Sequence, residues 1–418
     1  MSGDEKAPSD AKTPIGKFAV FGYPAFTLLL LSRMIGVFGN QMIHVGVGWM
    51  IYDMTEDPLN LAFVGLAQFM PALVLALFTG HVADRYDRRR VVAASYTVQG
   101  ICAGLFVGYL LLDITVIWPL FAILLVLGAA RAFYTPASQA LLPNLVPGEI
   151  FPTAIAWTTS CNKLSTVVGP AIGGLLYLLG PQVTFGTATA FYALAAGMVL
   201  SIRVSMQIVS KEPMSWSSIV AGFAYMRIKP VILGAISMDM FAVLMGGLTA
   251  LLPIYARDIL QTGPEGLGLL RGSPAIGGLI AGIILTQFPV TRHAGPILYA
   301  SVAIFGLATA VFAFSEIFLL SMVALAVLGA ADMVSVYIRL TVIQLETPDH
   351  MRGRVSAVNG VFITASNELG EFRAGVMAAA FGAVASAAVG GVVVLIVTGL
   401  WWRLFPDLRR ADRLDGMR

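Results

Sequence analysis

Charge is scarce in this sequence: aspartate, glutamate, lysine and arginine together make 12% of its 418 residues, about half the share in a soluble domain. Hydrophobic residues make 58%, which excludes a water-soluble globule. Cysteine is scarcer still. Cys102 and Cys161 are the whole complement and both sit in apolar runs, so there is no disulfide framework and no pointer to a redox compartment. No Gly-x-x-x-x-Gly-Lys-Ser/Thr stretch occurs, which argues against an ATP-driven pump. The net charge is only +3 and the basic residues are scattered through short loops, a poor footprint for nucleic acid. Neither a cofactor nor a bound metal is expected.

What the chain has is apolar length. The runs far exceed a tilted barrel strand of about 10 residues and lack strict alternation, so they are helices. They cover about 24–52, 59–80, 91–112, 114–136, 153–179, 183–203, 230–254, 266–290, 295–314, 317–343, 354–381 and 385–404, which makes twelve spans. The first is too long for a signal peptide and lacks a small-residue cleavage site, so it stays as a span. The polar start, Met1 to Lys17, reads as a disordered tail. The longest polar break, Val204 to Lys229, contains an amphipathic stretch from Trp216 to Arg227 and divides the chain six and six. The expected domains are a tail over 1–22, a half over 23–204, a central loop over 205–229, a second half over 230–405 and a tail over 406–418.

Between the second and third runs lies GHVADRYDRRRVV, Gly80 to Val92, with six charged residues: Asp84, Arg85, Asp87, Arg88, Arg89 and Arg90. A short, mostly basic stretch there is a loop at the membrane surface. Its pattern, Gly80-x-x-Ala83-Asp84-Arg85-x-x-Arg88-Arg89, resembles the signature between the second and third helices of the major facilitator superfamily of transporters. Asp87 replaces a usual glycine, and Val82 a common leucine. The Asp87 form, together with AFYTPASQALLPNLVP from Ala132 to Pro147, resembles the branch of proton-driven drug and siderophore exporters that includes the enterobactin and macrolide exporters. The resemblance covers about Pro24 to Phe405. It implies an all-α membrane fold of two pseudo-symmetric six-helix halves, acting as a monomer, with a gating loop formed by Gly80, Asp84, Arg85, Arg88 and Arg89. In such transporters the carboxylate at the Asp84 position ties the loop to the other half, here toward Arg352 and Arg354.

Basic residues set the orientation. One set of segments holds Lys6, Lys12, Lys17, the arginines after Asp84, Arg203, Lys211, Arg227, Lys229, Arg292, Arg352, Arg354 and the arginines from Arg403 onward. The opposite set holds Arg257 and Arg271 among acidic residues including Asp53, Glu56, Asp57 and Asp258. Both termini are therefore expected to be cytoplasmic, and the resemblance implies a bacterial inner membrane.

A shift of 201 residues without a gap aligns Gly128-Ala129-Ala130 with Gly329-Ala330-Ala331, Pro147 with Pro348, Gly169 with Gly370 and Gly174 with Gly375. Spans four and five thus repeat as spans ten and eleven, a transporter architecture with the substrate between the halves. Span five also contains Gly169-Pro170-Ala171-Ile172-Gly173-Gly174, similar to the antiporter signature of the superfamily. The glycines allow close helix approach and Pro170 frees a backbone carbonyl. Small-residue packing alone is the alternative.

Ionisable residues inside spans are costly and face a partner or a wet cavity. Arg33, Arg131, Asp332 and Arg339 are candidates for the substrate cavity, because the resemblance places spans one, four, seven and ten around it. Arg33 and Arg131 lie near helix ends, where snorkelling would also account for them. Glu368 and Glu371, three apart on one helix face, are candidates for proton coupling, with Asp239 as the other carrier. Arg373 points away from that face, and a structural network involving Lys163 is the alternative. His44 is expected to be a hydrogen-bonded interior histidine. The expected function is export of small amphipathic compounds, drugs or siderophores, in exchange for protons. An uptake symporter on the same fold is the second reading. A prenyltransferase using Asp84 and Asp87 for magnesium is the third, disfavoured by the adjoining arginines.

Overall fold

The computed structural model describes residues 18–203 and 216–411, without the side chains at 76, 77, 84, 216–219, 349 and 350. The expected tail before residue 18, the residues 204–215 and those after 411 lie outside it. Among the described residues, twelve long helical spans cross the molecule. The first half holds span one (Pro24–Thr55), two (Pro58–Arg85), three (Arg88–Leu111), four (Trp118–Leu141), five (Phe151–Leu178) and six (Pro181–Leu200). The second holds span seven (Pro230–Ile259), eight (Pro264–Gln287), nine (Ala294–Ala313), ten (Phe318–Glu346), eleven (Asp349–Phe381) and twelve (Ala383–Leu404). By length and composition, ten of these can cross a membrane. The other two are spans five and eleven. They are long enough, 28 and 33 residues, but polar: span five carries Asn162 and Lys163, span eleven Asn367, Glu368, Glu371 and Arg373.

Local sequence sets the helix ends. Seven spans begin with proline at the first or second position, where its missing N–H is not needed and its φ is already helical. Asp57 and Asp87 cap spans two and three, accepting from the backbone N–H of Leu59 at 2.8 Å and Arg89 at 3.0 Å. Gly180 and Gly382, at φ 124° and 87°, make the turns into spans six and twelve, a conformation that a Cβ disfavours.

Lipid tails are as apolar as leucine, so the bundle is held by close packing and polar ties, with small residues at the contacts. A cluster including Tyr96, Phe106, Phe185 and Tyr192 fills the first half. Small residues recur at matching places in the two halves. Gly128 lies over the Gln68 carbonyl, joining spans four and two, and Gly329 over the Pro274 carbonyl, joining spans ten and eight. The connecting helix, Trp216–Arg227, lies on span eleven, its Gly222 against the Arg354 carbonyl. After span twelve the chain stays packed as far as Ala411, whose carbonyl accepts from Gly295 N–H at 2.8 Å.

The halves meet where span five crosses span eight and span two crosses span eleven. Gly174 sits over the Pro264 carbonyl, and Gly375 sits over Ala62. These are the glycines that the repeat aligned, so the two crossings are pseudo-symmetric copies. A core cluster shared by Val45, Tyr52 and Leu61 with Leu248, Leu252, Tyr255 and Ala374 seals the molecule at the end that carries Glu56. At its rim Arg257 meets Glu56 at 2.8 Å and Asp53 at 3.6 Å, and the Tyr52 hydroxyl donates to Asp258. Toward the opposite end, which carries Arg89, Val74 and Phe78 of span two and Val361 of span eleven are exposed.

Candidate functional site

Beneath the sealed Glu56 end lies a cavity of about 220 Å³ between the halves, lined by Gln41, His44, Gln68 and Arg131 of the first and Thr249, Arg271, Glu368 and Glu371 of the second. Span seven contributes through a break: its first helix stops at Gly246 and resumes as a 3-10 turn over Thr249–Leu251. Irregular backbone at membrane depth is tolerable because it borders the cavity.

Glu368 and Glu371 share one face of span eleven. The Oε2 atoms of both approach Gly65 of span two, 3.8 and 3.7 Å from where its Cβ would stand. A glycine there leaves the carboxylates open to the cavity. Arg131 donates to the Gln68 side-chain oxygen at 3.2 Å and lies 3.1 Å from His44 Nε2. A guanidinium only donates, so Nε2 is the acceptor and the His44 proton resides on Nδ1. Arg271 donates to the His44 carbonyl at 3.2 Å. One residue of span one is thus held between an arginine of each half. Two carboxylates and two guanidinium groups share the cavity. Arg373 turns away and donates to the Leu244 carbonyl at 3.0 Å.

The antiporter-type stretch frames this cavity from behind. Gly169 and Gly173 face Gln41 and Met42 of span one, while Gly174 and the Pro170 carbonyl meet span eight. Pro170 has no N–H for the Thr166 carbonyl. Gln41 of span one donates to that freed oxygen at 3.4 Å.

Asp332 lines a second cavity of about 320 Å³ with Lys163 and Asn367, and Thr249 borders both spaces. Of the expected cavity residues, Arg131 and Asp332 face these spaces, one each. The structure places Arg33 and Arg339 elsewhere. Arg33, 7% exposed, donates to the Ser138 hydroxyl at 2.8 Å and to the Ser138 carbonyl, tying span one to span four. Arg339, 2% exposed, forms an ion pair with Asp239, tying span ten to span seven. Ser138 and Arg339 occupy the same repeat position, so each half carries a buried polar tie there. Arg271, expected in a loop, lies instead in the second turn of span eight. Its nearness to the span's first residue grouped it with the loop charges in the count of basic residues, and so it was not weighed as a charge inside a span.

At the Arg89 end, Arg88 donates to the carbonyls of Ala83 at 3.3 Å and Ala140 at 3.1 Å. Arg89 donates to the Ile202 carbonyl at 2.7 Å and pairs with Asp87 at 2.8 Å. The loop is therefore fastened to the ends of spans four and six. Hydrogen bonding from Arg89 holds the Asp87 carboxyl below its usual range. Such a contribution is complete above the ordinary aspartate value and is lost only as pH falls through the lowered one. Changes between pH 5 and 8 do not originate there. Arg85 is exposed, and a Cβ at Gly80 would meet nothing within 4 Å. The Asp84 side chain, with its expected tie to the other half, lies outside the described residues.

Gln41, Gln68, Thr249 and Gly65 also line the cavity but carry no formal charge, so charge within the spans did not point to them. Amides inside apolar runs were the available signal for the two glutamines.

These features together define a two-half membrane transporter. Residues 15–416 match the family described as transmembrane secretion effector, and the chain belongs to this family of major facilitator transporters. It is 27% identical over 406 residues to the enterobactin exporter EntS of Citrobacter koseri, covering 93% of each chain, and equally to that of Escherichia coli O157:H7. In fold it is similar to a bacterial homologue of the human lysosomal transporter Spinster, solved inward-facing and unoccupied, with TM-score 0.72, 14% identity and 95% and 99% of the two chains covered. The nucleoside transporter NupG aligns with TM-score 0.68, 15% identity, 91% and 99% covered. The chain is a transporter and not an enzyme, which sets the prenyltransferase reading aside.

Proposed function

We infer that the protein is a proton-coupled antiporter that exports small amphipathic organic compounds, of drug or siderophore type, by alternating access. The observation that carries this is the convergence of Glu368 and Glu371 on Gly65, at a crossing between the halves. A proton biases a two-state equilibrium only where its affinity differs between the states, and rocking of the halves changes the surroundings of this pair more than those of any residue inside one half. Asp239 is the weaker candidate carrier because it is ion-paired with Arg339 within its own half. The distribution of lysine and arginine supports cytoplasmic termini, and the likeness to exporters of bacteria supports a bacterial inner membrane location. In that orientation the sealed Glu56 end is periplasmic and this conformation is inward-facing. The Asp84 loop then lies at the cytoplasmic mouth and serves as its gate. A monomer contains the whole pathway.

Export in preference to uptake is supported by the Gly169 to Gly174 motif and by the names of the relatives. Expression in an efflux-deficient host, screened against a panel of siderophores and antibiotics, tests the function. Protection that a protonophore abolishes is the expected result. Proton-dependent accumulation inside the cells would turn the reading to symport.

A further inference from the structure

The second cavity differs from the carboxylate cavity in size and in lining. Organic-ligand sites start at about 300 Å³. At about 320 Å³ it can hold a small organic molecule, whereas the other, at about 220 Å³, suits protons and a few waters. Its walls are largely apolar, including Val243, Leu252, Leu328 and Met333. Two opposite charges face it from opposite halves, Lys163 from span five and Asp332 from span ten. Among the described residues they form no ion pair within 4.0 Å, with each other or with another group. Charges at membrane depth ordinarily find partners or a wet cavity.

We propose that this chamber is the cargo site and that it takes an amphipathic zwitterion, with an anionic group directed to Lys163, an ammonium group to Asp332 and an apolar body against the walls. Such a ligand bridges the two halves, so its binding free energy depends on their relative position, as coupling to rocking requires. The assignment rests on the exporter reading and names the class of its cargo. Thr249, shared by both cavities, is where occupancy of the chamber reaches the carboxylates.

The test is equilibrium binding to the purified full-length protein in detergent, which needs no proton gradient. The probe is ciprofloxacin, a fluorescent aromatic zwitterion, compared with its methyl ester, which keeps the ammonium and lacks the carboxylate. The wild type is expected to prefer the zwitterion. Lys163→Gln is expected to remove that preference, weakening the zwitterion about threefold, as for a solvent-screened charge. Asp332→Asn, which keeps its shape, is expected to weaken both probes about tenfold or more. Thermal unfolding confirms that each variant is folded. Absence of saturable binding to the wild type overturns the proposal, as does binding indifferent to both substitutions. Binding strengthened by either one overturns it too, since Lys163 and Asp332 would then serve as a latch for each other. If the binding pattern holds while proton-driven export fails in cells, the exporter reading falls and the site stands.

Discussion

A methyl group added at Gly375 tests whether the inter-half crossing works as described. Its Cβ would lie 2.7 Å from Ala62 Cβ, 2.9 Å from Ala62 N and 3.0 Å from Ala62 Cα. Favourable separations between such atoms are about 3.5–4.0 Å, so the deficit is roughly 1 Å. Two of the three neighbours are backbone atoms, and only separation of spans two and eleven relieves the clash. Overpacking of this degree costs about 1–3 kcal/mol. The strain exists only while the Glu56 end is closed, so Gly375→Ala should shift the population toward opening at that end by about five- to 150-fold. The repeat makes Gly174→Ala, facing the Pro264 carbonyl in span eight, an independent copy of the perturbation. Spin labels at Leu112→Cys and Phe381→Cys, exposed positions at the Glu56 end of opposite halves, report the distance. Both alanine variants should lengthen the mean distance. An unchanged distribution in both, with the protein folded, would refute the idea that these glycines set the closed state.

Replacing Asp239 with Asn, or Arg339 with Met, leaves a buried charge or polar group without its partner and should cost about 3–5 kcal/mol; the double variant should recover most of it, as thermal unfolding in detergent would show. Asp84→Asn should leave the protein inserted but slow transport and shift it toward inward-facing states; an unchanged rate together with unchanged labelling of Glu56→Cys would count against a gating role. In sealed cells an impermeant maleimide should label Glu56→Cys and spare Arg89→Cys, and labelling of the latter would invert the proposed topology.

The twelve helices were legible because hydrocarbon-length runs and proline-started helices are local signals that tertiary contacts do not override. The pairing of Gly174 with Gly375 was legible as a repeat, but that both mark crossings between the halves required the packing. Glu368 and Glu371 stood out because charge is expensive in lipid, and their shared face followed from the helix period. Their target, Gly65, carries no such mark, since a glycine among forty-three says nothing about what approaches it. Arg33 and Arg339 show the limit of reading charge as cavity: a residue inside a span is satisfied as readily by a serine or an aspartate on the next helix as by ligand. Arg271 was misplaced for a related reason, because its side chain reaches inward to the His44 carbonyl from close to the span's beginning.

The proposed carrier of proton coupling is the Glu368 and Glu371 pair. A carboxamide keeps the shape of a carboxylate and cannot exchange a proton, so binding and coupling should separate. Proteoliposomes containing Glu368→Gln, Glu371→Gln or the double variant, given a pH gradient and a transported compound from the panel, measure this directly. Binding with little dependence on pH, facilitated exchange that survives, and no accumulation against a gradient are expected. Uphill transport by the double variant with its pH dependence intact would contradict a coupling role for the pair and pass that role to Asp239.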